Sequence, residues 1–541
     1  MGKGRWLSVG ILLLILAIGI FLRTYRFHDF LLFEKDQVRD AALVEAVLHG
    51  LEPWPLLGPS MRGSGETKDE LFRVGPVFVY FQILSAKLFG MRPTVLAYPD
   101  WLFSVLTLPL FFVVMHRLFS VPISILITAL FSVAFFPLQY GRFAWNPNAL
   151  PFFTLLFVLS LAAVLEKRDR TPWPAVVALG VAMGIGIQLH ALALLSFSIT
   201  LVLACGASFF LCVKKKEMNR SFSRKGFAIR FCVFLAVVGG LNAPQIESEV
   251  SSGFSNTRTL FSSPVREGKG SAFSVKGVAE ALLCQAQANF HSISSLSGEE
   301  CILPSKKLFA SGTAGKKARE KTPFFFLAAS LVFSLVGFFL CGRRFWRETD
   351  QAKKTLLGTF LLFSLVFFLL MIPILASGFL EYRYFLPVFF LPFLFLGFLF
   401  GSDHSRKSAA RNIAALVLLG GFFYSNMSTI FTTYRTLSSG FGNDGHSVYL
   451  GEIEAMVSFL HRESSGAASI SGKDDILKNL FPPLFFVAKQ EGLSLSRGEE
   501  GEGTGVHLRI SKRSGHNSKD ADKKSCGSFG NFLVCRDEPP N

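Results

Sequence analysis

Long apolar runs, each close to the length of a bilayer crossing, recur along the chain and are separated by short connections. The first, residues 7–22, is preceded by Lys3 and Arg5 and followed by Arg23, Thr24, Tyr25 and Arg26. It has no small-residue cleavage site, which predicts an uncleaved anchor helix. Further runs at 97–115, 121–139, 149–165, 174–190, 191–212, 228–243, 323–341, 355–377, 384–401 and 411–431 bring the expected crossings to eleven. Residues 74–90, VGPVFVYFQILSAKLFG, read as an amphipathic or re-entrant segment in the interface, with crossing as the alternative. After about residue 432 the pattern changes. A helical period over 449–462, a second helical stretch broken by Pro482 and Pro483, and strand-like runs near 506–510 and 529–535 predict a small α/β domain, with 496–505 as a flexible loop.

Composition sharpens this picture. Of 541 residues 50% are hydrophobic and only 17% charged, and 60 are phenylalanine, which excludes a single soluble enzyme. The net charge of +17 suggests nucleic acid only until the basic residues are placed. They crowd alternate short connections: Lys3 and Arg5; Arg117; Lys167, Arg168 and Arg170; 214–225; Arg343, Arg344, Arg347, Lys353 and Lys354; Arg406, Lys407 and Arg411. The intervening short connections hold only Arg142 and Arg383. The positive-inside rule then puts the amino terminus in the cytoplasm and, with an odd number of crossings, the carboxy terminus outside. The expected architecture is an all-α polytopic protein of the cytoplasmic (inner) membrane with a transmembrane domain over 1–435. Its external loops are 24–96 and 242–322, and an external α/β domain covers 436–541.

The cysteines agree with that orientation. Cys284 and Cys301 share the second external loop and Cys526 and Cys535 share the tail, so each pair is a disulfide candidate on the oxidising side. Free thiols are the alternative, and neither spacing resembles a zinc pair.

No phosphate-binding loop, nucleophile elbow or zinc-protease motif is present, so the chemistry must lie at the membrane surface. The first external loop brings Glu34, Asp36 and Asp40 together in FLLFEKDQVRDA. If the chain from Asp36 is helical, Asp36 and Asp40 share one face. A plain solvated helix start, with Lys35 and Arg39 as surface partners, accounts for the same charges.

Those residues lead into LLGPSMRGSGETKDELFRVGPVFVYF and FG-x-x-P, and later into GRFAWNPNALPFF, GIQLHALALL, NAPQIESEVSSGFSNTRTLF and EYRYFLPVFFLP. With the anchor and the acidic motif, this order of phrases over roughly residues 7–435 resembles the polyprenyl-phosphate-sugar-dependent glycosyltransferases of the GT-C superfamily. The branch is the one holding protein mannosyltransferases and the lipid A aminoarabinose transferase. The resemblance implies that a sugar on a polyprenyl phosphate is attacked by an acceptor hydroxyl with inversion. A first-loop carboxylate takes the proton: the family's Asp-Glu pair is replaced here by Glu34-x-Asp36, which leaves Glu34, Asp36 and Asp40 as alternatives, and Asp36 ranks first because it lies between the other two.

An anionic leaving phosphate calls for fixed cations or donors. Arg142 and Arg383 stand where orientation disfavours them, beside aromatics that include Tyr384; Lys68, Arg73 and His190 are further donors. For the arginines, snorkelling in an aromatic belt is the alternative. Asn146, Asn148 and Glu247 are candidates for sugar or lipid contact. No cofactor is certain; a divalent metal fits where carboxylate and phosphate meet, though no spacing selects one. The expected partners are a polyprenyl-phosphate-linked sugar, membrane lipid and an acceptor that is protein, lipid A, polysaccharide or lipid-linked glycan, with no nucleic acid. The rival class is a lipid or solute transporter or flippase without catalytic activity, which would place ionisable groups at mid-bilayer.

Overall fold

The computed structural model describes residues 3–60, 71–167, 171–214, 224–266, 275–296, 300–301, 324–376, 381–401, 409–439, 448–464, 466–498, 506–512, 526–529 and 532–536. Its helices run α1 (Lys3–Thr24), α2 (Lys35–Leu48), α3 (Val77–Phe89), α4 (Tyr98–Leu118), α5 (Val121–Val133), α6 (Leu150–Lys167), α7 (Trp173–Leu189) and α8 (Ala191–Lys214). Then come α9 (Arg224–Leu241), α10 (Ala243–Ser251), α11 (Ser255–Arg266), α12 (Val275–Ser294), α13 (Phe324–Arg347), α14 (Gln351–Ala376), α15 (Leu391–Gly401) and α16 (Ala409–Ser438). Every one of the eleven apolar runs is helical. Among the described residues, six helices are long and apolar enough to cross a bilayer alone: α1, α4, α6, α8, α13 and α14. Two bent pairs, α9 with α10 at 69° and Tyr382–Val388 with α15 at 58°, extend this to eight.

Large apolar side chains face outward on α1 (Trp6, Leu14, Phe21) and α13 (Val332, Leu335, Phe339), as lipid contact requires. The interior is packed with phenylalanine. Phe111 stacks on Phe131 with ring centroids 4.3 Å apart, and Phe393 meets Phe131 edge to face. Close approach depends on missing side chains: a Cβ on Gly337 would overlap the Phe395 ring, and one on Gly397 the Phe119 ring. The α3 helix has 13 residues. At ~1.5 Å per residue it reaches about 20 Å, too short to span a hydrocarbon core of about 30 Å.

The second loop differs from its sequence reading. Within 242–322, α12 packs inside the bundle against α13, α14 and Tyr382–Val388 instead of lying outside it. Its buried face is polar, with Gln285, Gln287, Asn289, His291 and Ser292. These groups are matched within the protein. Tyr382 Oη donates to Gln287 Oε1 at 3.2 Å, Asn289 Nδ2 donates to Ser334 Oγ at 3.2 Å, and the His291 ring stacks on Tyr382 at 4.7 Å. Asn426 of α16 ties the end of α12 to the 135 turn. Its amide donates to the Ile293 carbonyl at 2.6 Å and accepts from the Phe135 N–H at 2.9 Å. Cys284 of α12 is disulfide-bonded to Cys301.

The carboxy-terminal segment contains α17 (Leu450–Glu463), β1 (Ala467–Gly472), α18 (Asp474–Gln490), β2 (Ser494–Arg497), β3 (Val506–Lys512), β4 (Cys526–Phe529) and β5 (Phe532–Arg536). They form one sheet of order β2-β1-β3-β5-β4, parallel across β2-β1-β3 and antiparallel across β3-β5-β4. The register sets Ile470 opposite Leu508 and Ile510 opposite Val534, and Cys526 is bonded to its partner Cys535. Pro482 and Pro483 do not break the second helix. Both lie inside α18, which is held by its buried Ile476, Leu480, Leu484 and Val487. The sheet domain docks on the first loop. The Phe33 N–H donates to the Val448 carbonyl at 3.0 Å, the Leu450 N–H donates to the Leu31 carbonyl at 2.9 Å, and the Phe33 ring lies 5.8 Å from Phe486. The seam places α18 against α2.

Candidate active site

The α2 helix starts where the sequence supplies a cap. Glu34 is extended (φ −114°) and closes a capping box: its carboxylate accepts from the Gln37 N–H, and its own N–H donates to Gln37 Oε1 at 3.0 Å. Gln37 Nε2 then donates to the Ala144 carbonyl at 2.9 Å, fixing α2 to the 140–149 turn. Ala41, Val44 and Val47 are buried along one side. Glu34 is therefore spent on starting the helix, while Asp36 and Asp40 fall a turn apart with Arg39 between them.

Arg39 joins the two acids. Its Nε and NH2 approach Asp40 Oδ1 at 2.8 and 2.7 Å, and NH1 reaches Asp36 Oδ1 at 3.3 Å. The acids differ in environment. The Asp36 side chain is 65% exposed and open to an incoming molecule, whereas that of Asp40 is 6% exposed. Loss of hydration pushes the Asp40 pKa up to about 6, against the pull of the Arg39 charge. Close by is a third carboxylate that sequence reading missed. Asp100, at the head of α4, is buried; its Oδ2 accepts from the Trp145 N–H at 3.3 Å and its Oδ1 has no hydrogen-bond partner among the described residues. Its one signal in the sequence is a lone acid in YPDW, opening an apolar run.

The aromatic side of the site follows from Trp145. The Arg383 guanidinium stands 5.5 Å from the Trp145 ring and 5.6 Å from the Tyr384 ring, and Tyr140 and Phe143 pack around the indole. Arg383 pairs with Glu381, Nε to Oε2 at 2.6 Å, with its side chain 40% exposed. Asp36, Arg39 and Asp40 form one chain of contacts and Asp100, Trp145 and Arg383 a second, and Gln37 of α2, bonded to the Ala144 carbonyl, joins the two into one row. It lies at the end of the bundle that carries the sheet domain.

Arg142 does not join the row. Its NH1 donates to the Leu22 and Arg23 carbonyls at 3.0 and 2.9 Å and its NH2 to the Tyr25 carbonyl at 2.8 Å. These carbonyls lie at and just beyond the carboxy end of α1, where Tyr434 Oη also donates to the Leu22 carbonyl at 2.7 Å, so Arg142 serves as a buried helix cap rather than a phosphate contact. Asn146 donates its amide to the Leu189 carbonyl, and Asn148 donates to the Phe143 carbonyl at 2.8 Å; both shape the turn. His190 Nδ1 accepts from the Leu192 N–H at 3.1 Å, which leaves the proton on Nε2. Arg73 donates through Nε to the Gly58 carbonyl at 3.0 Å, and its backbone pairs with Asn256. Burial first, and the Arg39 charge second, lower its pKa. Glu247 is exposed on α10, and Lys68 lies outside the described residues. Among the described residues no three His, Cys, Asp or Glu side chains converge as a metal site.

Comparison with known proteins adds a likeness of shape. ArnT from Cupriavidus metallidurans in the apo state is 12% identical, with a TM-score of 0.47 over 99% of this chain and 100% of that one. The Archaeoglobus fulgidus oligosaccharyltransferase, in a complex with zinc and sulfate, is 13% identical, with a TM-score of 0.44 over 90% of this chain and 62% of that one. ArnT from Cupriavidus metallidurans bound to undecaprenyl phosphate is 12% identical, with a TM-score of 0.31 over the whole of both chains. No family model and no curated protein matches the sequence. Likeness at this level assigns neither residues nor substrates, so the chemistry must be argued from the row itself.

Proposed function

We propose that the protein is an inverting glycosyltransferase of the external membrane face that moves a sugar from a polyprenyl-phosphate donor to an acceptor hydroxyl. The observation that carries this reading is the shared end of the bundle: an exposed carboxylate, Asp36, is held by Arg39 on α2, and α2 is bonded through Gln37 to the 140–149 turn, whose Trp145 ring lies under a second arginine, Arg383. The acceptor oxygen attacks the anomeric carbon as the bond from that carbon to the phosphate oxygen breaks. Asp36 takes the hydroxyl proton, and the polyprenyl phosphate leaves with the bond's electrons as an anion. Arg383 meets that anion with two nitrogen donors in place of Glu381, while Arg39, anchored by Asp40, keeps Asp36 in position.

The test compares cells carrying wild-type protein, Asp36→Asn and no protein. Extracts should show lipid-linked sugar accumulating, and one glycan missing, in both the variant and the deletion strain. Identical glycan and lipid-linked sugar profiles in all three would refute the assignment.

A further inference from the structure

At the opposite end of the bundle, the α4–α5 turn, the end of α13, the start of α14 and the end of α15 enclose a cavity of about 210 Å³. Arg343, Arg344, Arg347 and Lys353 line it together with the apolar Phe119, Leu340 and Phe398. Arg344 is paired with Glu348 at 2.7 Å; Arg343, Arg347 and Lys353 have no carboxylate partner among the described residues. Membrane orientation calls for positive charge anywhere in these short connections. It does not call for three cations without a carboxylate partner, among the described residues, around one apolar-walled hollow. A basic rim with a greasy wall matches a molecule that is an anionic phosphate at one end and hydrocarbon at the other.

We infer that this cavity binds the phosphate headgroup of an anionic phospholipid from the leaflet facing the basic end, with an acyl chain against Phe119, Leu340 and Phe398. The site is separate from the acidic row and independent of the reaction proposed there. Free phosphate shares the headgroup chemistry but gains nothing from the apolar wall.

The experiment measures thermal unfolding of the purified full-length protein in a neutral detergent. The additions are phosphatidylglycerol, phosphatidylcholine or inorganic phosphate at matched concentration. Phosphatidylglycerol alone should raise the melting temperature, by about 2–5 °C. The triple variant Arg343→Gln/Arg347→Gln/Lys353→Gln should lose that rise. So should Gly401→Leu, which keeps every charge and fills the hollow; a Cβ there makes only ordinary contacts, 3.5 Å to Ile123 and 3.7 Å to Phe119. Inorganic phosphate acting as strongly as the lipid would overturn the lipid assignment. Gly401→Leu retaining the full response while the triple variant loses it would show a diffuse surface charge effect and overturn the cavity. No rise with phosphatidylglycerol in the wild type would overturn both.

Discussion

Two short turns at the same end of the bundle each carry one arginine flanked by aromatic rings, and the fold uses them in opposite ways. In the 140–149 turn, Arg142 is 6% exposed and gives its donors to carbonyls at the end of α1. In the 381–384 turn, Arg383 keeps 40% of its side chain exposed, lies over Trp145 and Tyr384, and is matched by the part-exposed Glu381 carboxylate. Residue type, sign and neighbours are alike. What separates them is where the five guanidinium hydrogens go: donors spent on buried backbone carbonyls hold a fold, whereas under the proposed reaction donors matched by a part-exposed carboxylate exchange it for the phosphate.

The sharpest way to break this comparison is to remove each arginine in turn. Arg142→Ala orphans carbonyls at the α1 terminus and should cost on the order of 3 kcal/mol of stability, seen as a lower melting temperature and less folded protein in the membrane. Arg383→Ala should leave folding intact and lower turnover about tenfold or more at equal folded protein, with weaker donor binding. The contrast fails if Arg142→Ala folds normally and Arg383→Ala does not.

The row itself gives the next effect. Asp36→Asn preserves shape and removes the proton acceptor, so turnover should drop by about 10² without loss of stability, since the side chain is 65% exposed. Near-normal turnover would move the role to Asp40.

Sequence reading reached the apolar helices because long apolar runs declare themselves by composition alone, although among the described residues only six to eight of the eleven expected crossings are long and apolar enough to cross, and it reached α2 because its cap and acids are local. It could not separate Arg142 from Arg383, whose difference lies in tertiary hydrogen bonds. It missed α12 because Gln285, Gln287, Asn289 and His291 face protein rather than lipid, so the helix reads as a loop. It missed Asp100 because one acid at the head of an apolar run has no periodic signal. The strands β1 (AASISG) and β2 (SLSR) are too small and polar to register as strands without their sheet partners.

The pH dependence tests the support behind the row. Asp40 moves from its usual pKa of 3.8 to about 6 on folding. As pH falls through about 6 the carboxylate takes a proton, Arg39 loses its anchor and turnover should decline. Stability runs the other way. A raised carboxyl pKa favours the folded protein below the ordinary value, and that advantage is lost as pH rises through about 6, an amount of about 3 kcal/mol at most. Asp40→Asn should remove the inflection near pH 6 from the turnover profile and leave the protein no less stable at pH 7. An unchanged profile in that variant would mean that Asp40 does not govern the decline.

The smallest expected effect comes from exchanging arginine for lysine in the same two turns. Lysine keeps the charge and a flexible stem but presents one compact ammonium in place of a planar fork. At position 142 the fork reaches several carbonyls from two nitrogens, and an ammonium cannot sit near both the Leu22 and Tyr25 carbonyls, so Arg142→Lys should lose about 1 kcal/mol of stability and little turnover per folded molecule. At position 383 the ring contacts and the Glu381 pair tolerate lysine, while two-point contact with a phosphate does not, so Arg383→Lys should lower turnover about three- to tenfold at unchanged melting temperature. Titrating donor at fixed folded protein separates the outcomes, because a lost phosphate contact weakens donor binding and a merely anchoring arginine leaves it alone. Equal donor affinity for wild type and Arg383→Lys would remove the bidentate contact from the proposed reaction and leave Arg39 or Arg73 as the cation facing the phosphate.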